Sequence, residues 1–358
     1  MSKPRIIAFY LPQYHPTPHN DIWWGKGFTE WTNVGKAKPL FPGHYQPRIP
    51  ADLGYYDLRV PEVREQQAAL AKEAGVEGFC YYHYWFANGQ EELDLPFKEV
   101  VSSGKPDFPF CLCWANQSWE NKMWDKNGAV IDKKTLIEQK YLGEEDNEAH
   151  FYSLLSAFKD HRYMTIDGRP IFMIYQPLIF EGLKAFMEQW NKLALENGLK
   201  EFYFIGQCGE ETEVPAILNM GFDAVNYSRL FAVPKPNITN RVYRKLFNAP
   251  RVVEYKEAIT CFNHPIYRDD RVFPVIIPGW DHTPRSGRQG LVYTHSTPSL
   301  FKKHVIETLR TTGEKENNII FLKSWNEWGE GNYMEPDLKF GKGYIEALAQ
   351  AISEFNEK

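Results

Sequence analysis

Cysteine is scarce in this chain. Its 358 residues include five, at positions 80, 111, 113, 208 and 261, and none form a C-x-x-C pair. An odd count without that spacing argues against a disulfide framework and suits a reduced, cytoplasmic protein. Long apolar runs are also missing, and no stretch approaches the ~18–20 residues of a membrane span. The first residues, Met1-Ser2-Lys3-Pro4-Arg5, lead straight into a short apolar strand. They lack the apolar stretch and small-residue cleavage site of a secretion signal. Basic charge is not in excess: 41 Lys and Arg face 46 Asp and Glu, for a net charge of −5. A nucleic-acid partner, which needs a basic stripe, is therefore not expected.

Several motifs are absent too. The first strand runs into Leu11-Pro12-Gln13-Tyr14-His15-Pro16 rather than a G-x-G-x-x-G turn, which disfavours a dinucleotide fold. There is no G-x-S-x-G nucleophile turn. His15, His19 and His44 share one long loop, but no H-E-x-x-H or similar spacing supports a metal, and neither metal nor cofactor is expected.

What the chain has in abundance is aromatic residues, 15% of the total, with 11 tryptophans. It also shows a recurring unit, a short apolar strand followed by an amphipathic helix. Strands are expected at Ile6–Tyr10, Gly78–Tyr82, Pro109–Trp114, Ile171–Tyr175, Phe202–Gln207, Ala224–Tyr227, Pro274–Pro278 and Asn318–Ser324. Most are continuous apolar runs, as parallel strands buried on both faces require. Helices follow Pro61, span Phe180–Asn197, follow Thr297-Pro298 and run from Tyr344 to Phe355, with weaker ones near 92–103, 147–159, 212–220 and 241–258. Eight such alternations without a linker predict one α/β domain, a (β/α)8 TIM barrel over residues 4–357 with long, aromatic-rich βα loops.

Function in such a barrel gathers where strands end at their C-termini. Ten of the 11 tryptophans fall there or in the following loops, Trp190 being the exception. Aromatic faces beside carboxylates and amides suit a sugar, whose C–H faces stack while its hydroxyls need directional partners. The expected rim comprises Tyr10, Gln13, His15, Trp24, Trp31, Tyr82, His83, Trp114, Asn116, Trp280, Asp281 and Asn326. Arg285 joins it as a partner for an acidic substituent or for a glutamate. The sharpest signal is Trp325-Asn326-Glu327-Trp328-Gly329-Glu330-Gly331, with two carboxylates leaving a buried strand. A buried carboxylate is costly unless paired or used, and glycoside cleavage uses two. Glu327 and Glu330 are the catalytic candidates.

These segments carry a resemblance. Phe9–Pro16, Trp23–Val34, Gly43–Arg48, Gly78–Phe86, Cys113–Asn116 and Trp325–Gly331 closely resemble the WbsX family of bacterial proteins, tied to lipopolysaccharide O-antigen and other surface polysaccharides. That family carries a domain like glycoside hydrolase family 99, a barrel containing retaining endo-α-mannosidases. The resemblance implies that Glu327 is a base removing a proton from the sugar 2-hydroxyl, which attacks its own anomeric carbon. Glu330 is then the acid, and a 1,2-anhydro sugar is the intermediate. On this reading Glu330 carries a raised pKa, and Glu327 stays ionised, held by hydrogen bonds from Tyr82, His83 or Asn326. The expected partner is a carbohydrate substrate. Two alternatives are a glycosyltransferase, although no Asp-x-Asp for a nucleotide-sugar metal is present, and a non-catalytic sugar-binding barrel.

Overall fold

The computed structural model describes residues 3–124, 130–234, 244 and 246–357. All eight expected strands form: β1 (Arg5–Tyr10), β2 (Gly78–Trp85), β3 (Phe110–Trp114), β4 (Arg169–Ile174), β5 (Tyr203–Cys208), β6 (Ala224–Tyr227), β7 (Val272–Ile276) and β8 (Ile319–Leu322). Each pairs in parallel with the next, β7 lying between β6 and β8, and β1 closes the ring by pairing with both β2 and β8. The result is a closed (β/α)8 barrel. Both faces of its strands are covered, the inner by their own side chains and the outer by helices. That is why the strands read as unbroken apolar runs.

Side chains alternate between these faces, and the alternation matters for the site. On β1, Phe9 points inward and stacks on Tyr82 (5.4 Å) and Phe321 (5.3 Å). Tyr10 points outward, and its hydroxyl donates to Gln67 of helix Pro61–Glu73 at 2.7 Å. The main helices match expectation: Pro61–Glu73, Leu183–Glu196, Pro298–Thr312 and Gly343–Asn356. Thr297 caps the third by accepting from the Leu300 amide. Leu95–Ser103, Glu144–Phe158 and Glu213–Asn219 account for three of the weaker ones.

The region expected as a helix over 241–258 differs. Residues 241–243 and 245 lie outside the described residues. Arg251–Glu254 is instead a strand paired in parallel with Leu291–Thr294, and the helix is confined to Tyr255–Phe262. Val252 and Val253 favour the extended form, and a partner strand is available there. Trp119–Trp124 also pairs antiparallel with Val130–Ile137, a two-stranded sheet beyond the eight expected strands. The long first loop carries two short helices, Pro18–Trp24 and Glu30–Lys36. The cysteines are free. Among the described residues, no helix is long and apolar enough to cross a membrane.

Candidate active site

The chain leaves β8 through Lys323 and Ser324 and turns back on itself within a few residues. Asn326–Glu327 pairs antiparallel with Asn332–Tyr333, and a single 3-10 turn, Trp328–Glu330, joins them. Two glycines permit this. Gly331 adopts φ +57°, a left-handed conformation, with Asp281 close by. At Gly329, an added Cβ would stand 1.7 Å from Glu30 Oε1. The turn is thus pressed against a buried carboxylate from the first loop. Gly329→Ala should displace Glu30 and cost about 1–3 kcal/mol, as overpacking typically does. Chemical denaturation measures this, and an unchanged midpoint would contradict it.

A cavity of about 420 Å³ opens at this end of the barrel, with Glu327 and Glu330 in its wall beside Tyr82, Tyr84, Tyr175, Arg285 and Lys323. The first loop adds Gln13, Asn20 and Trp24, and the antiparallel two-stranded sheet adds Trp119 and Leu136. The two carboxyl groups hydrogen-bond to each other. Glu327 Oε1 lies 3.3 Å from Lys323 Nζ, which also donates to the Tyr82 hydroxyl at 3.3 Å. Glu330 Oε1 lies 2.5 Å from Arg285 Nη1, whose Nε reaches Glu30 Oε1 at 2.8 Å.

These contacts split the pair. Burial, reinforced by the charge of Glu330, pushes Glu327 up to about 8, against the pull of Lys323. Burial opposes ionisation of Glu330 as well. There Arg285, the hydrogen bond from Glu327 and Lys323 outweigh it and hold the carboxyl below its usual value. The expected pattern, Glu330 protonated and Glu327 ionised, is therefore reversed. The cause is Arg285, which pairs with Glu330. His282, 3.7 Å from Glu330, is lowered to about 4 by burial and by Arg285, and so is neutral.

Of the expected rim, Gln13, Trp24, Tyr82 and Arg285 line this cavity with the two glutamates. Tyr10, His15, Trp31, His83, Trp114, Asn116, Trp280, Asp281 and Asn326 do not, and that expectation is corrected. Strand alternation accounts for several of them. Tyr82 and Tyr84 point inward, so His83 points outward, where its Nε2 meets His150 Nε2 at 2.8 Å beneath helix Glu144–Phe158. Trp114 is on the same outer layer, its indole N–H donating to Trp85 O. Tyr10 is outward on β1, as above. The others hold loops together. The Asn326 amide clamps both backbone groups of Leu11, and the Asn116 amide binds Tyr141 and both backbone groups of Gln176. Asp281 accepts from Gln46 and Thr283 and meets His44 at 2.7 Å. His15 meets Pro12 O, and Trp31 donates to Tyr56 O. Trp280 is buried behind Lys323. Trp325 and Trp328 are buried as well, Trp328 donating to Glu335 and stacking on Tyr333.

Three contributors escaped sequence reading. Glu30 and Lys323 look like ordinary surface charges in sequence. Only their neighbours, an arginine 255 residues away and a glutamate on the next turn, reveal them. Asn20 is buried, and among the described residues neither of its side-chain amide atoms has a partner, although it borders the cavity. An unpaired buried amide costs about 1–3 kcal/mol. Asn20→Leu should therefore raise the melting temperature while weakening ligand affinity. A variant that is both less stable and equally avid would refute a ligand-facing role.

This arrangement sits in a recognisable sequence context. Residues 6–348 match the family described as Glycosyltransferase WbsX. The chain belongs to the WbsX family. A relative, the WxcX protein of Xanthomonas campestris pv. campestris, is 36% identical over 355 residues, 97% of this chain and 49% of its own length. The chain thus spans about half the length of the curated relatives it matches. Among solved structures, a glycoside hydrolase-like protein superposes with TM-score 0.62 at 15% identity, covering 98% of this WbsX chain and 94% of its own. The GH99 endo-alpha-mannosidase from Bacteroides thetaiotaomicron gives TM-score 0.58 at 16% identity, with 99% and 98% covered. At such identities the likeness establishes the shared barrel.

Proposed function

We propose that this WbsX protein is a carbohydrate-active enzyme that cleaves a glycosidic bond in a bacterial polysaccharide or oligosaccharide, with Glu327 and Glu330 as its catalytic pair. The observation that carries the reading is the buried, mutually hydrogen-bonded pair of carboxyls in the cavity wall after β8, flanked by Arg285 and Lys323. Tyrosines and tryptophans around it offer faces for a sugar ring. The names of the structural neighbours and of the family point to sugars as well.

Two carboxyls in contact leave no room between them for a water, as inverting catalysis needs, and stand closer than the ~5 Å of a nucleophile–acid pair. Attack by the sugar's own 2-hydroxyl needs neither spacing. In that sequence Glu327 takes the hydroxyl proton and the oxygen bonds to C1. The bond from C1 to the leaving oxygen breaks, and Glu330 donates its proton to that oxygen. Water, deprotonated by Glu330, then opens the 1,2-anhydro ring, and Glu327 returns its proton to O2. The same reading takes residues 4–357 as one catalytic unit.

The family description favours a second reading, glycosyl transfer, in which a sugar hydroxyl replaces that water. One experiment tests both. Oligosaccharides of mannose and rhamnose type are incubated with the protein in ¹⁸O-water and the products weighed. Cleavage with the label at the new reducing end supports hydrolysis. Elongated products without label support transfer. Neither product from any sugar, while Glu327→Gln binds the same sugars as well as the native protein does, would leave a binding barrel.

A further inference from the structure

Glu330 is gripped more firmly than Glu327, and the grip is built in from far along the chain. Arg285 belongs to the short helix Thr283–Ser286 after β7. Asp281 fixes the start of that helix by accepting from the Thr283 amide and hydroxyl, and is itself held by His44 and Gln46. At its far end, the guanidinium spans two carboxylates, Glu30 at 2.8 Å and Glu330 at 2.5 Å. The Glu30 side chain is only 2% exposed, and Gly329 leaves the room it occupies. A carboxylate so buried needs its cation, so Arg285 is anchored there. Lys323 holds Glu327 more loosely, at 3.3 Å, and divides its protons with Tyr82.

We infer that Arg285, anchored by Glu30, is a positioning residue that keeps the pair's single proton on Glu327 and must release Glu330 before Glu330 can donate a proton. The groups facing Glu330 are Arg285 and His282 from the β7 loop, Lys323 and Glu327 from the β8 segment, and Glu30 from the first loop. Tyr82 and Tyr175 also face the pair. His282 is neutral and both tyrosines keep their protons, so the cations decide the matter, and the shorter, more direct contact belongs to Arg285. The Arg285 side chain is 25% exposed, against 11% for Glu330, so a ligand in the cavity meets the guanidinium. A sugar hydroxyl accepting from Arg285 would loosen its hold on Glu330. The proton then crosses the existing hydrogen bond from Glu327 to Glu330, giving the base and acid that the proposed cleavage requires. This last step rests on that reading of function; the resting position of the proton does not.

The test needs no substrate. Protein carrying ¹³C-labelled glutamate is examined by infrared spectroscopy at pH 6, where protonated and ionised carboxyls absorb separately. Glu327→Gln should lose one protonated-carboxyl signal relative to the native protein. The double variant Glu327→Gln/Arg285→Gln should regain one, because Glu330, without its cation, takes up a proton, and Glu327→Gln/Arg285→Lys should regain little of it. A merely structural arginine would not move a proton. Melting temperatures give a second reading. Gln mimics a neutral carboxyl, so Glu327→Gln should melt at or above the native temperature at pH 7. Glu330→Gln takes from Arg285 one of its two carboxylate partners and should melt several degrees lower. Retention of the full protonated-carboxyl signal in Glu327→Gln, an unchanged signal in the double variant, or the opposite order of melting temperatures would overturn the inference. A protein that cleaves nothing can still pass this test, and full activity in both glutamine variants would remove the catalytic reading without touching it.

Discussion

Replacing either Glu327 or Glu330 by glutamine should lower turnover by about 10²–10⁴-fold, the usual worth of a general acid or base. Glutamine keeps the shape, so sugar binding, followed by tryptophan fluorescence or calorimetry, should persist in both variants. The two should then part company. A substrate with an activated leaving group needs no acid, so Glu330→Gln should recover much of its rate on it. The 2-hydroxyl still needs its base, and Glu327→Gln should stay slow. Recovery by Glu327→Gln instead would exchange the roles. That outcome would agree with the resting charges of the site, where Glu327 holds the proton and Glu330 is ionised beside Arg285. The comparison therefore decides whether the proton arrangement set by Arg285 is the reactive one. Full activity of both variants, on a substrate that the native protein cleaves, would end the assignment.

His304→Leu should stabilise the protein, and more so in acid. His304 lies within helix Pro298–Thr312, is buried against Phe262, and has no partner for either ring nitrogen among the described residues. An unsatisfied buried polar group costs about 1–3 kcal/mol, so a gain of about 1 kcal/mol or more is expected at pH 7. Burial also lowers its pKa to about 3. The sign follows from linkage. Below its ordinary value of about 6.5 the unfolded chain binds a proton that the folded protein refuses, so stability falls as the pH drops from there towards 3. At pH 5 this amounts to about 2 kcal/mol, which the leucine variant recovers. Denaturant midpoints of both proteins at pH 7 and pH 5 isolate the effect, because every other titrating group cancels. An equal gain at both pH values would mean that His304 is not held neutral.

How much of this was legible beforehand depended on the range of the forces involved. The eight strands announced themselves because a parallel strand covered on both faces must be apolar throughout. Even Ala224–Tyr227, a short and weak candidate, is buried along its whole length. The carboxylate pair was legible for the same reason, since a charge at the end of such a strand stands out. The rim was not. Placement near a strand end does not say which way a side chain faces: the period of two sends His83 and Trp114 outward while Tyr82 and Tyr84 turn in. Asn116, Asn326 and Asp281 have the chemistry of sugar ligands, but that chemistry is consumed by loop backbone and neighbouring side chains.

The sequence by itself determined the barrel and the position of two glutamates at its mouth, because hydrophobic periodicity and a local motif are short-range properties carried by neighbouring residues. Only the tertiary structure decided the state of those glutamates. Arg285 and Glu30 are separated by 255 residues, yet they form one ion pair, and the same guanidinium holds Glu330. Charge acts through space rather than along the chain, so what assigns the proton to Glu327 becomes visible only once the β7 loop and the first loop close over the same turn.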